Sequence, residues 1–308
     1  MKMIGPVIEA SSLTKRYKGT LALDNVSFRI KEGEIVGLVG KNGAGKTTLL
    51  RCLTGIVKPT SGSVSILGVD DPKGLIKVRG EMAAMIETPA LYSDLSGYDN
   101  LMCRALLMGK KGEEAKTTVN SLLNFVGLSA IGDNRRPSKN YSLGMKQRLG
   151  IAIALVGDPK ILILDEPTNG LDPEGIKQIR ELLLRVNREK EATIIVSSHI
   201  LSELSKFASS YLFIDKGRLI KQVTATEMER KEGKALNLST SDDVRALLIL
   251  RANHYSAFMS GDSLIINGLS EPSIPLNLLY ASGITLKKLK EESNDLEKYF
   301  VSLVGDLK

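Results

Sequence analysis

The chain has 308 residues, enough for one large domain and a smaller one, and its 43% hydrophobic and 25% charged residues are the balance of a soluble globular protein. No apolar run approaches the roughly 18 residues that span a bilayer, the first residues (Met1-Lys2-Met3-Ile4-Gly5-Pro6) lack a signal-peptide core, and two cysteines, Cys52 and Cys103, give no disulfide framework. A net charge of +7 suits a polyphosphate ligand or an anionic membrane surface as well as nucleic acid, but 5% aromatic residues leave little for a base-stacking platform.

Residues 7–13 and 26–30 read as strands, the second alternating apolar and polar, and Lys31-Glu32-Gly33-Glu34 turns into a third at 35–39. There the chain enters Gly40-Lys41-Asn42-Gly43-Ala44-Gly45-Lys46-Thr47-Thr48, followed by the helix-forming run 49–53. Gly40, Gly45, Lys46 and Thr47 fit the G-x-x-x-x-G-K-[ST] phosphate loop, in the strand–loop–helix setting that motif requires. Its glycines let successive backbone N–H groups point at phosphate oxygens, and the helix start adds the positive end of its dipole. Lys46 is placed to reach the β- and γ-phosphates, and the Thr47 hydroxyl to ligate Mg²⁺. The pattern implies a nucleoside triphosphate held by Gly40, Asn42, Gly43, Ala44, Gly45, Lys46, Thr47 and Thr48.

A Pro59-Thr60-Ser61-Gly62 turn leads to a strand at 63–67, and a short apolar run at 82–87 ends at Thr88-Pro89. Over 98–127 the period becomes helical: Leu101, Ala105 and Met108, then Val119, Leu122, Leu123 and Val126, broken by Gly109-Lys110-Lys111-Gly112. Residues 133–140 are polar and irregular. Tyr141-Ser142-Leu143-Gly144-Met145 then opens a helix toward Val156, with Ser142 as its cap. Ile161-Leu162-Ile163-Leu164 is apolar on both faces, as a central parallel strand is, and ends in Asp165 and Glu166. Asp172-Pro173-Glu174 starts a helix to about Lys190, and a buried strand at 193–198 runs into His199.

Two short strands at 211–220 meet at Asp215-Lys216-Gly217. Beyond Val223 the chemistry thins: a strand at 263–267 and an end helix with Leu286, Leu289, Leu296, Phe300 and Leu303 on one face form a small α+β appendage, and His254 reads as a surface residue. The two carboxylates are the chemical complement of the loop. On a strand beside the phosphate loop, Asp165 holds Mg²⁺ through its water shell and Glu166 polarises an attacking water.

In this order the motifs resemble the ATP-binding cassette of ABC transporters. The phosphate loop is the Walker A motif, residues 141–145 the signature and 161–166 the Walker B motif, followed by a D-loop-like Asn169-Gly170-Leu171-Asp172 and a switch histidine, His199. The resemblance covers residues 7–222. It implies a P-loop α/β core with an antiparallel β subdomain and a helical subdomain inserted at about 88–158, and it leaves the α+β domain at 223–308 outside it. It also implies ATP and Mg²⁺, two nucleotides sandwiched between two such subunits, Ser142 and Gly144 gripping the partner's γ-phosphate, Tyr17 stacking on adenine, and His199 touching the γ-phosphate. The expected partners are a second nucleotide-binding subunit and a membrane permease at the cytoplasmic face, and not nucleic acid. A non-transport cassette protein acting on nucleic acid or ribosomes is the alternative; such chains usually carry two cassettes or long coiled-coil insertions.

Two positions depart from the family pattern. Leu143 stands where the signature usually has its first glycine, and Glu87 stands where a glutamine is usual, as a metal ligand or as a residue that reports to the permease. Residues 86–89, 95–101, 142–150 and 295–300 further resemble the ATPases of bacterial bacitracin-resistance and lantibiotic-immunity exporters.

Overall fold

The structure, a computed structural model, describes residues 5–129, 136–232, 234–260, 263–269 and 271–292. The chain forms two compact units, Met1–Gln222 and Val223–Lys308. The first opens with β1 (Ile8–Tyr17), β2 (Thr20–Ile30), β3 (Ile35–Val39), α1 (Lys46–Leu53), β4 (Ser61–Ile66), α2 (Pro72–Val78) and β5 (Met82–Met85). It continues with α3 (Gly97–Leu107), α4 (Gly112–Phe125), α5 (Leu143–Leu155), β6 (Ile161–Asp165), α6 (Pro173–Lys190), β7 (Thr193–Ser198), α7 (Leu201–Leu204), β8 (Ser210–Asp215) and β9 (Arg218–Thr224).

Two sheets share one core. β2, β1 and β4 make a three-stranded antiparallel sheet, and a six-stranded sheet runs β5-β6-β7-β3-β8-β9, parallel from β5 to β8. Ile8, Leu13, Leu23 and Ile30 of the first pack with Leu38, Leu49, Leu53, Ile163 and Ile214 of the second and its helix α1. Every residue of β3, β6 and β7 is buried, which is why their centres read as apolar on both faces. The strand that ends in the two carboxylates lies beside the phosphate loop, as expected, with Asp165 bonded to Thr47, yet it is not the sheet neighbour of β3: β7 lies between β3 and β6. Strand order in a parallel sheet is set by crossover connections, for which a single strand's sequence carries no signal.

The helical stretch folds as α3, α4 and α5 packed on one another, burying Leu101, Ala105, Val119, Leu122 and Leu123. Each start is written locally. Ser96 caps α3, Ser142 caps α5, and Asp172 followed by Pro173 caps α6.

The second unit contains α8 (Ala225–Glu232), β10 (Lys234–Thr240), α9 (Asp243–Ala252), β11 (Ser256–Ser260), β12 (Ser263–Leu269), α10 (Ser273–Ala281) and β13 (Leu286–Glu292). From β10 to β13 the order is βαββαβ, and the sheet runs β11-β12-β10-β13 with all neighbours antiparallel, the split βαβ arrangement. Its core is Leu236, Leu238, Ala246, Leu250, Leu264, Ile266 and Leu279. Leu286 and Leu289, expected on a helix, lie on strand β13 and are exposed; pairing with β10 overrides the local helical spacing. The remaining positions of that expected helix, Leu296, Phe300 and Leu303, lie outside the described residues, as do residues 295–300 of the finer resemblance. His254 is exposed, at φ 63° just after α9.

Candidate nucleotide-binding and catalytic site

The phosphate loop joins β3 to α1, and its glycines are required by what packs around it. A Cβ on Gly40 would meet the Ile214 carbonyl oxygen at 2.4 Å, and Gly45, at φ 107°, would press one to 2.7 Å from the carbonyl oxygen of Ala22. The Gly217 N–H donates to the Ala44 carbonyl at 2.9 Å, pinning the loop to the turn after β8. Gly45 caps α1 without a side-chain acceptor, so the first N–H groups of the helix are left for an anion.

Lys46, Thr47, Asp165, Glu166 and His199 come together in one bonded cluster. The buried Lys46 donates from Nζ to the Gly40 carbonyl at 2.6 Å and sits 3.1 Å from Glu166 Oε1. Thr47 Oγ1 donates to Asp165 Oδ2 at 2.7 Å. His199 Nδ1 lies 2.5 Å from the other Glu166 oxygen, Oε2. Glu166 itself is held at φ 50°, a left-handed conformation that a residue with a long side chain adopts only when its surroundings impose it.

Ser197 completes this cluster and was not among the residues expected from sequence. It is fully buried in β7; its Oγ donates to Asp165 Oδ1 at 2.5 Å and accepts the Glu166 N–H at 2.8 Å. Ser197 and Ser198 both carry hydroxyls at the end of β7 before His199, and nothing in the sequence singles out Ser197.

The other expected residues stand apart from that cluster. Tyr17 ends β1, partly exposed, with Lys15 Nζ 4.8 Å from its ring centroid. Ser142 accepts the Met145 N–H at 3.3 Å, capping α5 while its own O–H is left to donate. Leu143 is 45% exposed beside the D-loop, where a Cβ on Gly170 would meet its Cδ2 at 3.2 Å, and a Cβ on Gly144 would lie 3.7 Å from Leu171 Cδ2. Asn42 and Gly43 are exposed at the crest of the phosphate loop, Ala44 is buried, and Thr48 lies in the first turn of α1.

Glu87 is not brought to Thr47 and Asp165. It follows β5 at φ 69°, and its carboxylate, 62% exposed, pairs with Arg51 on α1. The basic partner neutralises the charge that a carboxylate introduces where a neutral amide is usual. Such an exposed pair contributes at most about 1 kcal/mol. Glu87→Gln is therefore expected to keep the melting temperature and the Mg²⁺ dependence of any basal ATPase. A shifted Mg²⁺ midpoint would return Glu87 to the metal site.

Cys52, fully buried on α1, has its thiol pushed above the usual range by burial, which outweighs the opposing pull of Lys15 and Arg79. It is a packing group, not a nucleophile. Taken together, the cluster sets an anion-binding loop and a lysine against two carboxylates and an imidazole. That is the equipment for binding a polyphosphate and activating a water beside it.

The sequence profile described as "ABC transporter" matches residues 23–169. The chain is 36% identical over 308 residues to the bacitracin transport ATP-binding protein BcrA of Enterococcus faecalis, an alignment covering 99% of this chain and 98% of that protein. It is 44% identical over 214 residues to the lantibiotic transport ATP-binding protein SrtF of Streptococcus pyogenes, covering 70% of this chain and 89% of that one. Among solved structures, the dimeric post-hydrolysis state of the ATP-binding cassette MJ0796 bound to ADP and Pi superposes with a TM-score of 0.64 at 28% identity, covering 71% of this chain and 98% of the other.

Proposed function

The chain belongs to the ATP-binding proteins of ABC transporters, and from that membership we propose that it hydrolyses ATP to ADP and phosphate to energise a separate permease that exports an antimicrobial peptide of the bacitracin or lantibiotic kind. The observation that carries the reading is the bonded cluster of Lys46, Thr47, Asp165, Glu166 and His199 at the phosphate loop. The names of BcrA and SrtF supply the substrate class.

The donor set fits Mg²⁺. Thr47 Oγ1 and Asp165 Oδ2 are hard oxygens 2.7 Å apart. Among the described residues no group of three or more His, Cys, Asp or Glu forms a cage of its own, as suits an ion shared with phosphates and water. When bound there, Mg²⁺ neutralises charge on the β- and γ-phosphoryl oxygens. Lys46 exchanges its Glu166 partner for phosphate oxygens, and the backbone N–H groups of the loop and of α1 hold the remainder. Glu166, released on one oxygen and kept in place on the other by His199, accepts the proton of the attacking water. Tyr17 offers a ring face to adenine.

Ser142 and Gly144, at the start of α5, would contact the γ-phosphate of a second copy or a related subunit, in a dimer like that of MJ0796. Glu87, tied to the phosphate-loop helix through Arg51, would relay the state of the permease to α1.

No helix among the described residues is long and apolar enough to cross a membrane; from its family membership we place the chain at the cytoplasmic face of the membrane beside a separate permease. The segment from Glu87 to Leu101 supplies the docking surface. Tyr92 is 60% exposed, while its backbone is fixed: its N–H donates to Asn100 Oδ1 at 2.8 Å, and its carbonyl accepts from Ser138 Oγ at 3.0 Å. Tyr98 is half-buried and Leu101 fully buried, so the free ring is that of Tyr92. An exposed aromatic on a rigid backbone suits the apolar face of a short helix. Tyr92→Ala is expected to release the chain from membranes while its ATPase activity in solution persists. Unchanged membrane association rejects this docking surface. Sedimentation of the wild-type chain with ribosomes or DNA, and not with membranes, rejects the exporter reading.

A further inference from the structure

Ser197 has no catalytic chemistry of its own, yet three parts of the site meet at its hydroxyl. In the sheet register it stands between Leu38 of β3 and Asp165 of β6, the strands that carry the phosphate loop and the carboxylates. Its Oγ donates to Asp165 Oδ1 at 2.5 Å, while Thr47 donates to the other oxygen at 2.7 Å. The Asp165 carboxylate is thus held between two hydroxyls, one on each side. The same Oγ accepts the Glu166 N–H at 2.8 Å, at the residue whose φ of 50° turns the chain out of β6. Two residues further on, His199 meets the Glu166 carboxylate.

We infer that Ser197 is a positioning residue: it sets the Asp165 rotamer for Mg²⁺ and anchors the left-handed turn that aims Glu166 at the attacking water. A hydroxyl is needed because one atom must both donate and accept. Alanine leaves a buried N–H and a buried carboxylate oxygen each short of a partner, whereas threonine keeps both bonds. The role rests on the proposed ATPase reaction, since Asp165 and Glu166 are its metal ligand and base. It adds a residue that neither the motif nor its neighbours in sequence specify.

The test compares the full-length wild-type, S197A and S197T chains in two assays. Calorimetric titration of ADP at a series of Mg²⁺ concentrations gives the Mg²⁺ midpoint for tight ADP binding, independent of turnover. Steady-state ATP hydrolysis gives kcat and KM. Removal of a residue that orients a metal ligand usually costs about 10–100-fold in metal affinity or activity. S197A is expected to raise the Mg²⁺ midpoint and lower kcat by factors in that range, with ADP affinity in the absence of Mg²⁺ little changed and a lower melting temperature from the two lost bonds. S197T is expected to stay close to wild type. If the added methyl prevents folding, S197C, nearly the same size with a weaker donor, should fall between wild type and S197A.

An S197A chain with the wild-type Mg²⁺ midpoint and kcat overturns the inference. So does one that only melts earlier while its midpoint holds, and so does a folded S197T chain as impaired as S197A. A wild-type chain that binds ADP without Mg²⁺ dependence and hydrolyses no ATP overturns the ATPase reading itself, a result separate from any difference among the variants.

Discussion

Glu166→Gln is expected to bind ATP with Mg²⁺ and to turn it over about 10²–10⁴-fold more slowly than the wild type, the usual worth of a general base. The substitution preserves shape and the backbone turn at φ 50°, so the bond from the Glu166 N–H to Ser197 is kept. What it removes is a carboxylate able to take a proton, and with it the charge that now pairs with Lys46 at 3.1 Å and meets His199 at 2.5 Å. Because that carboxylate competes with phosphate for Lys46, its loss should leave nucleotide binding intact or tighter. A chain that binds ATP without hydrolysing it should accumulate as an ATP-bound dimer, visible as an earlier peak in size exclusion. Single-turnover hydrolysis at close to the wild-type rate would remove Glu166 from the role of base.

Lys46→Ala should fail one step earlier. Lys46 Nζ is buried and held by the Gly40 carbonyl at 2.6 Å, so its ammonium is already aimed into the loop, at little further cost in side-chain entropy. A hydrogen bond to a charged group contributes about 1.5–3 kcal/mol, and an ammonium meeting two phosphates makes more than one. ATP affinity should therefore fall at least about tenfold per bond lost, at roughly 1.4 kcal/mol for each factor of ten. The substitution also leaves the Glu166 carboxylate at the loop without its cation, and that carboxylate then repels the γ-phosphate. Calorimetric titration of ATP separates the two variants: Glu166→Gln should retain the binding isotherm and Lys46→Ala should lose it. ATP affinity unchanged in Lys46→Ala would mean that the loop backbone alone holds the triphosphate.

The sequence by itself determined whatever depends on contiguous residues. The phosphate loop is legible because its glycines answer local backbone demands, its lysine and threonine open the following helix, and all of them lie within Gly40–Thr48. Strand β6 is legible from four buried apolar residues ending in two carboxylates, and α5 and α6 from the caps Ser142 and Asp172. The antiparallel sheet, the helical insertion and the composite P-loop architecture came from the resemblance to the ABC cassette that these pieces, taken in order, carry.

Tertiary structure decided which pieces touch. Nothing within residues 35–39 or 161–166 says that β7 separates their strands, and it is this placement that puts the Ser197 hydroxyl on Asp165 and Glu166. Glu87 could be read as a metal ligand because its partner Arg51 lies 36 residues earlier, on a helix reached only through the folded sheet. Leu286 and Leu289 keep a helical spacing in sequence yet extend along β10, where the ladder's hydrogen bonds outweigh a weak local preference. Caps, loops and periodicity are enforced by contacts a few residues long, whereas strand order and side-chain partners are chosen by burial and crossover geometry across the whole chain.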